Sequence, residues 1–227
     1  MRRSPLVAAL LAAAALLTAA DGHAAKVVLT TCGQTVVGRA ELTADLDCSA
    51  YAGHALVLDG TLALNGFTLT GNATDPGYSA VDCTAKCRVR IKGPGKIVGG
   101  QSAVSGNLVK LSKEIEIRDA SAWGVTGAQV RASTVWVHGN GAGLPVGPDG
   151  GGGISGGKIT VQRSTIESNA SFGVNANVRA VLNFASVTDN GLVDLRSYDK
   201  PTVAKTTCLT SARGNLAENW GVCFNDN

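Results

Sequence analysis

Methionine, aromatic residues and charge are all scarce in this sequence. Among 227 residues there is one Met, aromatics make up 4% and charged residues 16%. Few long helix-forming side chains remain, which argues against a helical bundle. A formal charge of +3 is too mild to imply a nucleic-acid partner. No Asp-rich cluster occurs either. Calcium takes about six to eight oxygen ligands, so it lacks a supporting carboxylate cluster, and no metal or cofactor is expected.

Long apolar runs are confined to one place. Arg2 and Arg3 precede an apolar stretch at 6–17, followed by Thr18, Ala19, Ala20, Ala24 and Ala25. This is the layout of a secretory signal, and the run is too short for a membrane span of about 20 residues. Cleavage is expected after Ala20 or Ala24, leaving no membrane span in the mature chain. One domain, 25–227, is expected, either extracellular or periplasmic.

What is present is glycine, 29 residues of it, and a recurrence. Leu69/Asn72, Ile97/Gly100, Ile117/Ala120, Val137/Asn140, Ile166/Asn169 and Val187/Asn190 each place a small or amide residue three positions after an aliphatic one. The aliphatic members are spaced by 28, 20, 20, 29 and 21 residues, a repeat length typical of solenoids. Two further apolar sets keep the same phase. One runs Leu62/Leu64, Val89/Ile91, Val109/Leu111, Val130/Ala132, Ile159/Val161, Ala180/Leu182; the other runs Val81, Val104, Val125, Ile154, Val174, Val193. Alternation broken by Gly and Asn signals short half-buried strands joined by tight turns. Three strands per turn of about 20 residues describe an all-β parallel β-helix, in which stacked coils bury what no coil buries alone. The two long spacings mark loops at 72–80 and 141–157. Caps are expected at about 25–58 and 200–227.

An even cysteine count in an exported chain reads as disulfides. The six fall into local pairs, Cys32–Cys48, Cys83–Cys87 and Cys208–Cys223, of which the first and last would staple the two ends. Zinc is disfavoured, because the Cys-x₃-Cys at 83–87 has no His or second pair nearby. With both edges capped, a monomer is expected.

The segment Leu62-Ala-Leu-Asn-Gly-Phe-Thr-Leu-Thr-Gly-Asn72, the Asn recurrence, and Cys32-Gly-Gln with Asp45-Leu-Asp-Cys48 resemble secreted right-handed parallel β-helix proteins of the pectate-lyase-like superfamily. The resemblance covers nearly the whole mature chain. It implies the fold more closely than the activity, since that superfamily spans lyases, hydrolases, epimerases and adhesins. Lyases of this kind typically hold calcium with carboxylates and abstract a proton with Arg or Lys.

Register then exposes candidate residues. Alternation turns Arg88, Arg90 and Lys92 outward, with Lys110 and Arg131 following Arg90, and Lys158 and Arg179 following Arg88. Such a stripe suits an acidic polysaccharide or cell-surface glycan; the alternative is a solvated face that discourages strand aggregation. A second face carries Glu116/Arg118, Trp136/His138 and Thr165/Glu167. There His138 is a candidate base, Glu167 an acid partner, Arg118 a carboxylate clamp and Trp136 a sugar platform. A surface ion-pair ladder is the competing reading. Asp194, Arg196 and Tyr198 are expected outward on one strand, with Asp194 and Arg196 as a further catalytic candidate. The Asn residues read as structural, through left-handed turn geometry and bonds between turns. Two functions remain open: a lyase or epimerase acting on an acidic polysaccharide, and a non-catalytic extracellular binder.

Overall fold

The computed structural model describes residues 26–83 and 86–224. The expected signal at 1–24 lies outside them. Among the described residues there is no helix, and 18 strands join in one hydrogen-bonded sheet. The named strands pair in parallel, most with a partner some twenty to thirty residues further along the chain and those at the two ends with a nearer one. The longest are Ser102–Arg118, Trp123–His138, Gly152–Gln162 and Phe172–Asn183.

Three apolar ladders hold the core. The first runs Leu46, Leu69, Ile97, Ile117, Val137, Ile166, Val187 and Cys208 in direct register. Its members from Leu69 to Val187 are completely buried. Fully burying one such side chain contributes roughly 1.5–3 kcal/mol, so the ladder is a major source of stability. The second pairs Val89, Val109, Val130, Ile159 and Ala180, and beside them Ile91, Leu111, Ala132, Val161 and Leu182. Its first strand differs from expectation: Ile91 pairs with Leu62, and Val89 with Gly60, two residues earlier than the apolar pattern suggests. The third ladder runs Val81, Val104, Val125, Ile154, Val174 and then Leu195, not Val193. Val193 pairs with Phe172 instead. Both are apolar and share one parity, so alternation alone cannot choose between them.

The asparagines form a directed chain of amides. Asn140 Nδ2 donates to Asn169 Oδ1 at 2.9 Å, Asn169 Nδ2 to Asn190 Oδ1 at 2.9 Å, and Asn190 Nδ2 to Asp194 Oδ1 at 2.8 Å. Left-handed geometry belongs not to these residues but to the ones just before them: Gly139, Ser168 and Asp189 have φ of 64, 52 and 57°, and Asp119, before Ala120, has 58°. Room for the amides comes from a column of glycines. A Cβ at Gly153 would lie 3.0 Å from Asn169 Nδ2, and one at Gly173 2.5 Å from Asn190 Nδ2. Asn72 sits apart, its Oδ1 accepting from Thr74 and Asp75 in its own loop.

Paired strands extend into both segments expected as caps. Gln34–Leu42 pairs with Leu56–Ala63, and Thr202–Ala204, Thr207–Cys208 and Ser211–Arg213 continue the ladders. The second loop is shorter than expected, because the strand Gly152–Gln162 takes up its last residues. Cys32–Cys48, Cys83–Cys87 and Cys208–Cys223 are all disulfides, which persist in oxidising compartments. No helix among the described residues is long and apolar enough to cross a membrane.

Candidate functional site

The ladders align the outward residues between them. Arg90 pairs with Lys110 and Lys110 with Arg131, so three cations stand in one column on adjacent strands. Thr61 precedes the column and Thr160 ends it. In the neighbouring column Arg88, Leu108, Gln129, Lys158 and Arg179 follow one another. Lys92 pairs with Ser112 and so stands as a lone cation beside the stripe. All seven basic side chains are exposed. Arg179 donates to Thr202 Oγ1 at 2.7 Å. Among the described residues none of the seven is in an ion pair.

Adjacent strands lie about 4.8 Å apart, and two unit charges at that spacing repel by up to about 1 kcal/mol even in water. The stripe therefore stores repulsion that a bound anion would relieve. Its centre is a shallow depression of about 190 Å³ lined by Arg88, Arg90, Lys110, Gln129 and Arg131. A second hollow of about 320 Å³ shares Lys110 and Arg131 and adds Ser133, Thr160 and Gln162. Spacing alone could not reveal those four polar residues, because nothing in their type departs from ordinary surface.

On the second face Arg118, His138 and Glu167 do occupy one column, with Glu116, Trp136 and Thr165 beside it. The bonds, however, run diagonally. His138 Nε2 faces Glu116 Oε1 at 3.3 Å, and Trp136 Nε1 donates to Glu167 Oε1 at 2.9 Å. Lys96 and Arg118 both pair with Glu116, and Arg118 also reaches Asp119. Burial alone would raise the Glu116 pKa. Hydrogen bonds from Lys96 and His138 and the charges of Lys96 and Arg118 outweigh it, so the carboxyl lies below its ordinary 4.5. A carboxylate so depressed stabilises the fold above its unfolded value and loses that contribution as pH falls through the folded one. The thermal midpoint is accordingly expected to drop more steeply below about pH 4.5 in the native protein than in Glu116→Gln, measured by unfolding scans at stepped pH.

No family model, no curated protein and no solved structure matches this chain.

The third set of candidates is dispersed. Asp194 does not face outward: it is 2% exposed, and its carboxylate accepts from Asn190, Leu209 and Thr210. It stands where the preceding paired strands carry glycine and supplies the acceptor that a further Asn would have given. Arg196 lies over the Phe172 ring and donates through Nε to Gly214 O at 3.0 Å. Tyr198 is exposed, with its ring against Gly214. Among the described residues no group of three or more His, Cys, Asp and Glu converges as a metal site.

Proposed function

We propose that this protein is a secreted right-handed parallel β-helix of the pectate-lyase-like kind that binds an acidic polysaccharide without cleaving it. The three parallel ladders with inward apolar rows support the coil architecture, and the disulfides support export. One observation carries the binding reading: Arg90, Lys110 and Arg131 stand in register, exposed and without carboxylate partners among the described residues. A polymer with an anionic group on each sugar offers the counter-charge, and electrostatic complementarity of this kind favours encounter and selects against neutral or cationic partners.

Binding is favoured over cleavage because most of the candidate acid–base groups are already engaged, and His138 keeps only Nδ1 outside its contact with Glu116. His138 is turned to Glu116, Glu167 to Trp136, Arg118 to two carboxylates and Arg196 to a backbone carbonyl. A proton-abstracting base needs a free position within hydrogen-bond reach of its substrate. Incubation with polygalacturonate and with alginate provides the test. Saturable binding that weakens with salt, with no rise in ultraviolet absorbance from unsaturated products, is the expected result. Rising absorbance with either uronate would replace the binder with a lyase, and absence of binding to both would overturn the reading.

A further inference from the structure

We propose that Trp136 forms a separate site for an uncharged pyranose ring. The inference does not rest on the acidic-polymer reading, because it uses other residues and another kind of contact. Trp136 is 43% exposed, the one tryptophan among the exposed large hydrophobic residues. Exposure of so large an apolar ring is normally costly, yet here the ring is also fixed. Its N–H is held by Glu167, and the imidazole of His138 stacks on it with centroids 4.0 Å apart at 22°. A ring immobilised in advance loses little freedom on binding, which is what makes an aromatic platform effective.

Trp136 also lines a hollow of about 310 Å³, together with Glu114, Glu116, Thr134, Arg163 and Thr165. That is the small end of the range for small-molecule sites, roughly 300–1,000 Å³. Thr134, and on the neighbouring chain segments Glu114 and Arg163, lie before the row of Trp136, while His138 lies after it. These lining residues therefore stand on the side of the indole away from the imidazole along the chain. The corner that forms the rim is irregular: between the pairs Ser133/Ser112 and Val135/Ile115, Lys113 and Glu114 together oppose Thr134. Such a bulge re-aims a side chain, and here it brings Glu114 to the hollow.

Charge in the hollow is balanced. Glu114 and Arg163 carry opposite signs and are in no ion pair among the described residues, while Glu116 is neutralised by Lys96 and Arg118. Balanced charge gives no preference for an anion or a cation. Donors and acceptors are both on offer, from Arg163, Glu114 and the hydroxyls of Thr134 and Thr165. An apolar ring face beside mixed hydrogen-bonding groups matches a pyranose, which presents C–H bonds on one face and hydroxyls around its edge.

The test titrates the full secreted chain with β-1,4-linked glucose and xylose hexamers, read by tryptophan fluorescence and ligand-observed NMR. Saturable binding to at least one hexamer, unchanged by salt, is expected. Trp136→Ala should weaken it about tenfold or more, as loss of a central aromatic contact does, while Trp136→Phe retains most of it. If Trp136→Ala does not fold, Arg163→Ala, an exposed position, carries the test and should weaken binding several-fold. No saturable binding to either hexamer, or native affinity in the folded Trp136→Ala protein, would overturn the proposal. Glutamine replacement of Arg90, Lys110 and Arg131 should leave hexamer binding intact, which separates failure here from failure of the acidic-polymer reading.

Discussion

Replacing Arg90, Lys110 and Arg131 together with glutamine is expected to weaken polygalacturonate binding at low salt by about a hundredfold or more. Three exposed charge contacts at about 1 kcal/mol each make roughly 3 kcal/mol, which is two decades of affinity. Glutamine shortens the stem only modestly and keeps hydrogen-bonding capacity, so the change is chiefly one of charge. Stability should move the other way. The three cations stand on neighbouring strands with no carboxylate between them, and like charges directly opposed are destabilising. The thermal midpoint of the triple variant should therefore equal or slightly exceed that of the native protein. Residual affinity should show a weaker salt dependence, since fewer charge contacts remain to be screened. Unchanged affinity in a folded triple variant would mean that the polymer binds elsewhere.

Asp194→Asn is expected to cost about 3–5 kcal/mol of stability, the range for leaving buried polar groups unpaired. The two carboxylate oxygens accept from Asn190 N at 3.2 Å, Asn190 Nδ2 at 2.8 Å, Leu209 N at 2.8 Å and Thr210 N at 3.1 Å. An amide has only one acceptor oxygen, and its NH₂ would meet donors with nothing to accept. Asn169→Leu, similar in size, should cost about 3 kcal/mol, because the main-chain and side-chain N–H groups of Asn140 both lose their acceptor. Domains of this size hold about 5–15 kcal/mol in total, so either change removes a large fraction. Denaturant unfolding monitored by circular dichroism measures both. Losses below about 1 kcal/mol would show that the amide chain is not a principal support of the fold. Protein that remains folded should still bind polygalacturonate, since the chain lies inside and the cations outside.

The ladders were legible because buried parallel strands repeat their apolar residues at the interval that separates paired strands. Leu69 through Val187 needed only that spacing. The same signal fails where two apolar residues share parity, as at Val193 and Leu195; the interval from the preceding ladder asparagine resolves it. Val174 follows Asn169 by five residues, and Leu195 follows Asn190 by five. That interval would also have found Asp194, one place before Leu195, where Gly173 precedes Val174. Glycines at 124, 153 and 173 thus announced the space occupied by the amides, a signal available in sequence but hidden among 29 glycines.

On the outer faces, columns were readable and bonds were not. The order Arg90, Lys110, Arg131 and the order Arg118, His138, Glu167 both follow from register. Which side chain bonds which depends on rotamers, and here Trp136 takes Glu167 while His138 turns to Glu116. Those diagonal bonds weaken the acid–base reading of that face and hold the indole of Trp136 in place. The bulge at Glu114 did leave a trace, since Leu111 to Ile117 is one residue longer than Ala132 to Val137, but the hollow that it borders beside Trp136 did not.

The most direct test compares one polymer in two charge states. The native protein is titrated at low salt with polygalacturonate and with the same chains fully methyl-esterified, by calorimetry. Binding through the cation column requires the free acid, so the acid form should bind saturably and the ester about a hundredfold more weakly or not at all. Equal affinity for the two forms, or binding to neither, would contradict the role assigned to Arg90, Lys110 and Arg131.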